Sequence, residues 1–358
     1  VRDGDPDVTV VGAGIAGLAV ARRLTAVGVT VAVLEARHRV GGRLLTAGGD
    51  GAAVDLGATW FWPGEHRVTR LVTELGIPVH PQHTAGDALY ETPGGMMRLS
   101  GNPIDVPSWR FGPGAQALAV RLADRLPPGT VRLGEPVHAI TGAGSHLTVD
   151  TASGALRSRH VVAAVPPALA VASIRFTPAL PAPVATAART TPVWMGTITK
   201  AVVEYRRPFW REQGLSGAVI SHTGPMREIH DMCGPGATPA ALFGFVPPAG
   251  PAAPTVRDDQ LIAQLVWLFG TAAADPVRCY VQDWRREPFT ASPGVEQSPG
   301  RGAEPTALSH PTMNGRLHWA ATETGGAHAG HIEGALAAAA RVAATIAGPV
   351  PTTTGGTP

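Results

Sequence analysis

The 358-residue chain is poor in lysine, cysteine and aromatic residues. Lys200 is the only lysine, so 28 of the 29 Lys+Arg residues are arginine. Two cysteines, Cys233 and Cys279, form neither a CxxC pair nor a zinc-type spacing. That excludes a disulfide framework and a cysteine-based metal site, and it points to two free thiols in a reducing compartment. Charged residues make up 16% of the chain, the net charge is +2, and no basic block stands out, which argues against nucleic-acid binding. No run is long and apolar enough for a membrane span. The best candidate, "GALAAAARVAATIAG", is broken by Arg341 and suits a packed helix. The opening "VRDGDPD" lacks a signal-peptide pattern, and the tail over 349–358 is expected to be disordered. A soluble, cytoplasmic protein is the expectation, with two domains because a single core stops growing near ~250–300 residues.

The N-terminal stretch "DVTVVGAGIAGLAVARRLTAVGVTVAVLEA" reads as strand, glycine turn, helix and strand. Val8 to Val11 are β-branched, Leu18, Val20, Leu24 and Val27 recur at helical spacing, and Val29 to Leu34 form a second apolar strand. Gly12, Gly14 and Gly17 occupy the turn in a GxGxxG pattern. Here the first glycine permits the turn, the second lets backbone approach a pyrophosphate, and the third lets helix pack on strand. Amides at the helix start then face the phosphates. Glu35 ends the second strand, where a carboxylate accepts from ribose hydroxyls and repels a 2′-phosphate, so NADP is disfavoured.

Further along, helices are expected over Glu65–Leu75, Ala115–Leu126, Asp258–Phe269 and His331–Ile346. Strands are expected over Val131–Leu133, Val137–Ile140, His146–Asp150 and Val161–Val165, with a strand-rich region from Thr197 to Val246 and a last short strand in "LHWAA". In the strand around it, Lys200 shares a face with Ile198 and Val202, which turns it toward apolar surroundings. Alternatively it lies on an edge strand and snorkels to solvent.

Gly41-Gly42-Arg43 follows the acidic residue closely and adds a second flexible backbone and a cation near the same phosphates. Together with "VDLGATW" and the C-terminal "ATETGGAHAGHIEGA", this extension resembles the flavin-containing amine oxidase family. "PVHAI", "HVVAAVPPAL", "GPMREIHDMCGPGATPAALFGFV" and "VQDWRREPFT" continue the resemblance in order. It implies an α/β fold: a Rossmann-like FAD-binding domain over 1–76, 111–189 and 287–358, interleaved with a smaller α+β substrate domain over 77–110 and 190–286. It implies that Gly12, Gly14, Ile15, Ala16, Gly17, Glu35, Ala36, Arg37, Gly42 and Arg43 hold the ADP half of FAD. Gly57, Ala58 and Thr59 would pass near the isoalloxazine, Val137 near adenine, and Glu323 near the ribityl and pyrophosphate region. Ile332 would offer its backbone N–H to the flavin, with the positive end of the following helix at N1 and O2.

For Lys200, within "KAVVEYRRPFW", the resemblance implies a place near flavin N5, bridged by a water. A compact ammonium with adjustable protonation suits the site where O2 meets reduced flavin, whereas a permanently charged, planar arginine does not. Trp60, Trp284, His328 and His331 would stand near the reacting carbon.

The chain also departs from the family. Many members press substrate between two aromatic rings, but the matching places here fall near Gly294 and at His331, and His328 stands where tryptophan is common. Two histidines without a third ligand make a poor metal site, so no metal is expected. They either bind substrate and relay a proton or fill space at the flavin edge. No cysteine lies in the C-terminal loop, which implies non-covalent FAD. Only about a dozen residues separate "MMRLS" from "WRFGPGAQAL", where the family carries a long helical section. The pocket is then either more open or completed by a partner subunit in a homodimer. The functional expectation is oxidation of a small amine or amino-acid-like substrate, with reoxidation by O2. The alternatives are a desaturase or dehydrogenase of a non-amine substrate and an FAD-binding protein without turnover.

Overall fold

The computed structural model describes residues 5–49, 52–193, 195–248, 254–291 and 305–348. The tail over 349–358 and the place near Gly294 lie outside the described residues. The chain divides into two compact units. The first takes its described residues from Val1–Gly42, Ala119–Pro192 and Pro293–Pro358, the second from Arg43–Leu118 and Val193–Ser292. The spatial division therefore falls at Gly42/Arg43, upstream of the 76/77 boundary expected from the sequence. The reason is local: Val54 and Leu56 are buried in the same cluster as Val202, Met232 and Phe243.

The first unit is built on a five-stranded sheet in the order Val131–Leu133, Val31–Glu35, Val8–Val11, His160–Ala163, Leu317–Trp319. Every pairing in it is parallel. Strands buried on both faces read as continuous apolar runs, as Val8, Val10, Val33 and Leu34 do here. The turn after the first strand depends on glycine. Gly12 has φ 103°, and a Cβ at Gly17 would lie 2.0 Å from the Gly12 carbonyl oxygen. Helix Ile15–Thr25 therefore starts as close to its strand as backbone allows. The C-terminal helix Ile332–Ala347 packs on it, and its buried Ala335, Ala338 and Ala339 keep the two axes close. A second sheet, Gly154–Ser158, His146–Thr151, Val137–Ala143 and Arg175–Thr177, completes the unit.

The second unit carries a seven-stranded sheet, ordered Arg278–Asp283, Thr199–Tyr205, Ala240–Val246, Glu228–Asp231, Leu215–Ser221, Asp87–Thr92, Gly95–Leu99. Alternation assigns its two faces. Ala201, Val203 and Leu242 pack against Leu261, Leu265 and Leu268 of helix Asp258–Phe269. Val202, Ala241 and Phe243 pack on the other face with Val54 and Leu56. Strand Thr199–Tyr205 is interior, paired on both sides, which removes the edge-strand reading of Lys200. A small sheet joins Trp60–Phe61, Trp109–Phe111 and Val79–Pro81.

Most expected elements occur within a few residues of their expected ends. Asp258–Phe269 and Val131–Leu133 match fully, while the helix expected over Ala115–Leu126 is shorter, Gln116–Ala123. Hairpin Asp87–Thr92/Gly95–Leu99 and the small three-stranded sheet have no counterpart among the expected elements. Several large apolar side chains in this region are exposed, namely Val79, Met96, Met97, Val106 and Trp109.

Because backbone cannot yield at 2.0 Å, Gly17→Ala should destabilise the first unit by at least about 1–3 kcal/mol. Chemical unfolding would show this, and a stability unchanged from wild type would contradict the close helix–strand approach.

Candidate functional site

In the first unit Gly12 and Glu35 lie at the carboxyl ends of two adjacent parallel strands, where open α/β sheets bind ligands. Gly14 is the N-cap of helix Ile15–Thr25, and Ile15, Ala16 and Gly17 form its first turn. Gly14 bridges to Gly41, and Gly41 N–H donates to the Ala13 carbonyl at 2.9 Å. A Cβ added at Gly14 would meet nothing nearer than the Gly41 oxygen at 4.0 Å, so the second glycine of the motif opens onto free space. That is the room a pyrophosphate needs above a helix N-terminus. Glu35 ends its strand and is buried. Its carboxylate accepts from Ala13 N–H at 2.8 Å and from Arg37 N–H at 3.0 Å, which fixes both oxygens beside the glycine turn, with Ala36 between the two residues. Val137 begins strand Val137–Ala143 and is buried.

The C-terminal part of this unit brings together Glu323, His328, His331 and Ile332. Glu323 lies in the turn Thr322–Thr324, and His331 is the N-cap of the helix that Ile332 begins. Thr322 ties this corner: its hydroxyl donates to the His331 carbonyl at 2.7 Å and accepts from Gly330 N–H at 3.0 Å. The rings of His328 and His331 stand edge to face, 6.4 Å between centroids. Among the described residues no three His, Cys, Asp or Glu side chains group as a metal site.

The second unit holds the other predicted residues, and here the geometry is specific. Lys200 is 5% exposed. Its Nζ donates to the Gly57 carbonyl and lies 5.3 and 5.1 Å from the ring centres of Phe243 and Phe245. Burial is the main cause that lowers its pKa, to about 8, and Asp55 partly opposes it. Trp284 is buried, and its indole N–H donates to the Leu56 carbonyl at 2.9 Å. Two successive carbonyls of "VDLGATW" are thus claimed by Trp284 and Lys200. Gly57 must be glycine, because a Cβ there would lie 1.9 Å from the Arg43 carbonyl oxygen, which already accepts from Ala58 N–H at 3.0 Å. Thr59 is buried next to it, with its hydroxyl 3.3 Å from the Gly57 carbonyl.

Trp60 donates its indole N–H to Gln82 Oε1 at 2.9 Å and meets His230, Phe243 and Phe245 at centroid distances of 5.2, 5.4 and 6.3 Å. Phe243, Phe245, His230 and Asp55 were not among the sequence-predicted residues. The two phenylalanines were findable, since "ALFGFV" alternates and Phe245 is the cross-strand partner of Lys200. Asp55 sits inside the quoted "VDLGATW". His230 gave no sequence signal, because one of its two partners, Asp105, comes from elsewhere in the chain.

One of those partners lies in the short link between "MMRLS" and "WRFGPG". Asn102 accepts from Ile104 and Asp105 N–H, folding the link, and Asp105 Oδ1 meets His230 Nδ1 at 2.6 Å. Glu228 meets His230 Nε2 at 2.9 Å. Burial works against charge on His230, but the two carboxylates outweigh it and raise the pKa to about 9.

These arrangements match known proteins. A family model described as flavin-containing amine oxidoreductase matches residues 15–110 and 94–347. The chain belongs to the flavin-containing amine oxidoreductase family. The chain is 29% identical to a Mycobacterium tuberculosis protein named as a flavin-containing monoamine oxidase, AofH, with 95% of this chain and 96% of that one covered. It is 25% identical to the putrescine oxidase of Kocuria rosea, with 96% and 95% covered. Among solved structures, cyclohexylamine oxidase from Brevibacterium oxydans superposes with a TM-score of 0.83 at 26% identity, covering 96% of this chain and 99% of that one. The fold class and the oxidoreductase assignment follow from these likenesses, as does a flavin cofactor. The alignment with the mycobacterial protein runs over 443 positions against 358 residues here, so the relative carries stretches that this chain lacks. The two matched spans meet at 94–110, around the short link. Among the described residues no helix is long and apolar enough to cross a membrane.

A His230 pKa raised from 6.5 to about 9 adds stability that is full below pH 6.5 and lost as pH rises toward 9. At ~1.4 kcal/mol per unit this amounts to about 3 kcal/mol. Asp105→Asn should remove most of that pH dependence in urea unfolding. An unaltered profile would show that the link is not held by His230.

Proposed function

We propose that the chain binds FAD non-covalently and oxidises a small amine at the C–H next to nitrogen. When bound, FAD supplies the acceptor for a hydride equivalent and passes the electrons to O2, giving peroxide. The observation that carries the reading is Lys200: a lone lysine on an interior strand, buried with its ammonium on the Gly57 carbonyl.

The first unit would hold the dinucleotide. Gly12, Gly14 and Gly17 leave room for the pyrophosphate, with Ile15 and Ala16 presenting helix-start amides. Glu35 would accept from the ribose, with Ala36, Arg37, Gly42 and Arg43 around it, and Val137 would border adenine. Glu323 would border the ribityl and pyrophosphate region. Ile332 would present its amide at the positive end of a 16-residue helix, where negative charge develops on reduction. Both cysteines are far in sequence from these residues, and Cys233 is buried, which supports non-covalent attachment.

The second unit would supply the oxygen side and part of the substrate wall. Lys200 would place a positive charge where O2 takes up electrons, near Gly57, Ala58 and Thr59. The burial that depresses its pKa acts equally on a substrate ammonium, so the amine binds neutral and no strong protein base is required. Trp60, backed by Phe243 and Phe245, together with Trp284, would border the reacting carbon. His331 and His328 would hydrogen-bond substrate or relay a proton. The apolar side chains left exposed over Val79–Trp109 favour a homodimer that covers the shortened region.

Two experiments test this. Anaerobic mixing with a panel of amines should bleach the flavin spectrum and release peroxide on reaeration, whereas bleaching by non-amines alone would establish the desaturase or dehydrogenase reading. Lys200→Met should leave FAD bound and slow reoxidation by roughly 10–100-fold; unchanged reoxidation removes Lys200 from the mechanism. Likewise His331→Phe should alter flavin reduction by substrate more than FAD affinity, and unchanged reduction kinetics would leave it a packing role.

A further inference from the structure

Trp60, placed beside the reacting carbon in the function proposed above, does not set its own orientation. Its ring is half-buried and meets His230 and Phe243 edge-on and Phe245 at a tilt. Such contacts fill the space around an indole, while its N–H seeks a polar partner. Among the described residues that partner is Gln82, whose Oε1 accepts the indole N–H at 2.9 Å.

Gln82 is 6% exposed, and both ends of its amide are engaged. Its Nε2 donates to the Asp231 carbonyl at 2.7 Å and lies 3.4 Å from the His83 carbonyl. Reversing the amide would set an NH2 group against the indole N–H and an oxygen against two carbonyls, so its orientation is fixed. Sheet register explains why this side chain reaches Trp60. Arg110 is the cross-strand partner of both Trp60 and His80. Gln82 follows His80 by two residues, which returns it to the same face. Its N–H donates to the Ser108 carbonyl at 2.9 Å and so continues that register. The face docks on the segment 231–233: Gln82 takes the Asp231 carbonyl, and Arg110 Nη1 donates to the Cys233 carbonyl at 2.8 Å. The anchor is itself tied. Asp231 pairs with Leu242 in the large sheet, and its carboxylate accepts from Trp210, Arg211 and the Cys233 amide at 2.8 to 2.9 Å.

We propose that Gln82 is the positioning residue of Trp60: its amide ties the indole to the Asp231 carbonyl and so sets how the ring is presented to substrate. The tie stands on the geometry alone, and its consequence for the reaction rests on the place proposed above for Trp60. With its N–H spent on Gln82, Trp60 offers substrate a ring and no hydrogen bond. Without the tie, only packing contacts hold the indole, and the ring samples more than one orientation.

Gln82→Met keeps the length and volume of the side chain and removes both hydrogen bonds. In protein labelled with 15N-tryptophan, the Trp60 indole signal is identified by its loss in Trp60→Phe. In Gln82→Met that signal should shift, and its N–H should exchange with solvent roughly tenfold faster or more. A signal and exchange rate equal to those of the wild type overturn the proposal. KM for an amine that bleaches the flavin should rise roughly 5–10-fold, with kcat within about threefold. A double variant separates positioning from general loosening: added to Trp60→Phe, Gln82→Met should change KM little further. Independent, additive effects of the two substitutions overturn the proposal. Where Gln82→Met does not fold, the wild type decides: a Trp60 indole N–H protected from exchange supports the tie, and exchange at the rate of free tryptophan overturns it. An indole signal that responds to Gln82→Met, with KM unchanged in both single variants, supports the tie and retires only the place of Trp60 beside the reacting carbon.

Discussion

The second unit is organised around a buried ammonium. An isolated cation away from water is costly, so the surrounding chain must supply an acceptor and a polarisable wall. For Lys200 these are the Gly57 carbonyl and the rings of Phe243 and Phe245. Each requirement constrains a different part of the sequence. The acceptor demands that the 54–60 segment approach the sheet face, and the approach demands glycine at 57, where Arg43 backbone leaves no room for a side chain. Trp284 locks the same segment through the Leu56 carbonyl. "VDLGATW" is therefore a run whose consecutive residues have separate tasks.

The segment shared by the ends of the two matched spans solves a different problem. Asn102–Asp105 folds onto itself and is tied to the sheet through His230. A doubly paired histidine serves this well, because the protonated ring donates an N–H to a carboxylate from each nitrogen and still packs against Trp60. Trp60, Phe243, Phe245 and His230 then form an aromatic surface within the second unit. These rings stand beside Lys200 and Trp60, two of the predicted catalytic residues.

The glycine turn of the first unit was legible in sequence because its determinants are local. Gly12, Gly14, Gly17 and Glu35 lie within one strand–turn–helix–strand unit, where spacing along the chain is spacing in the structure. The interior placement of Lys200 was only half legible: alternation gave its face, but pairing on both sides depends on Ala240–Val246 and Arg278–Asp283, distant in sequence. Asp105–His230, Trp284–Leu56 and Arg110–Cys233 were not legible at all, since each joins segments separated by about a hundred residues or more. The Asp87–Thr92 hairpin escaped for another reason: its second strand, "GMMRL", is mostly exposed and lacks the alternation that marks a half-buried strand.

Arginine and lysine in this protein are separated by what burial does to each. Arg110 is buried as deeply as Lys200 and lies in the same unit, yet a guanidinium keeps its charge across the ordinary pH range, and this one donates to the Cys233 carbonyl. Lys200 has one carbonyl, and burial depresses its pKa to about 8. Its protonation therefore responds to small changes of charge nearby, while that of Arg110 does not. A chain that uses arginine everywhere else for fixed charge has kept lysine at the one place where the charge can be gained and lost near neutral pH. Composition alone could flag that residue as unusual, but only its burial against the Gly57 carbonyl and the rings of Phe243 and Phe245 gives the exception a physical reason.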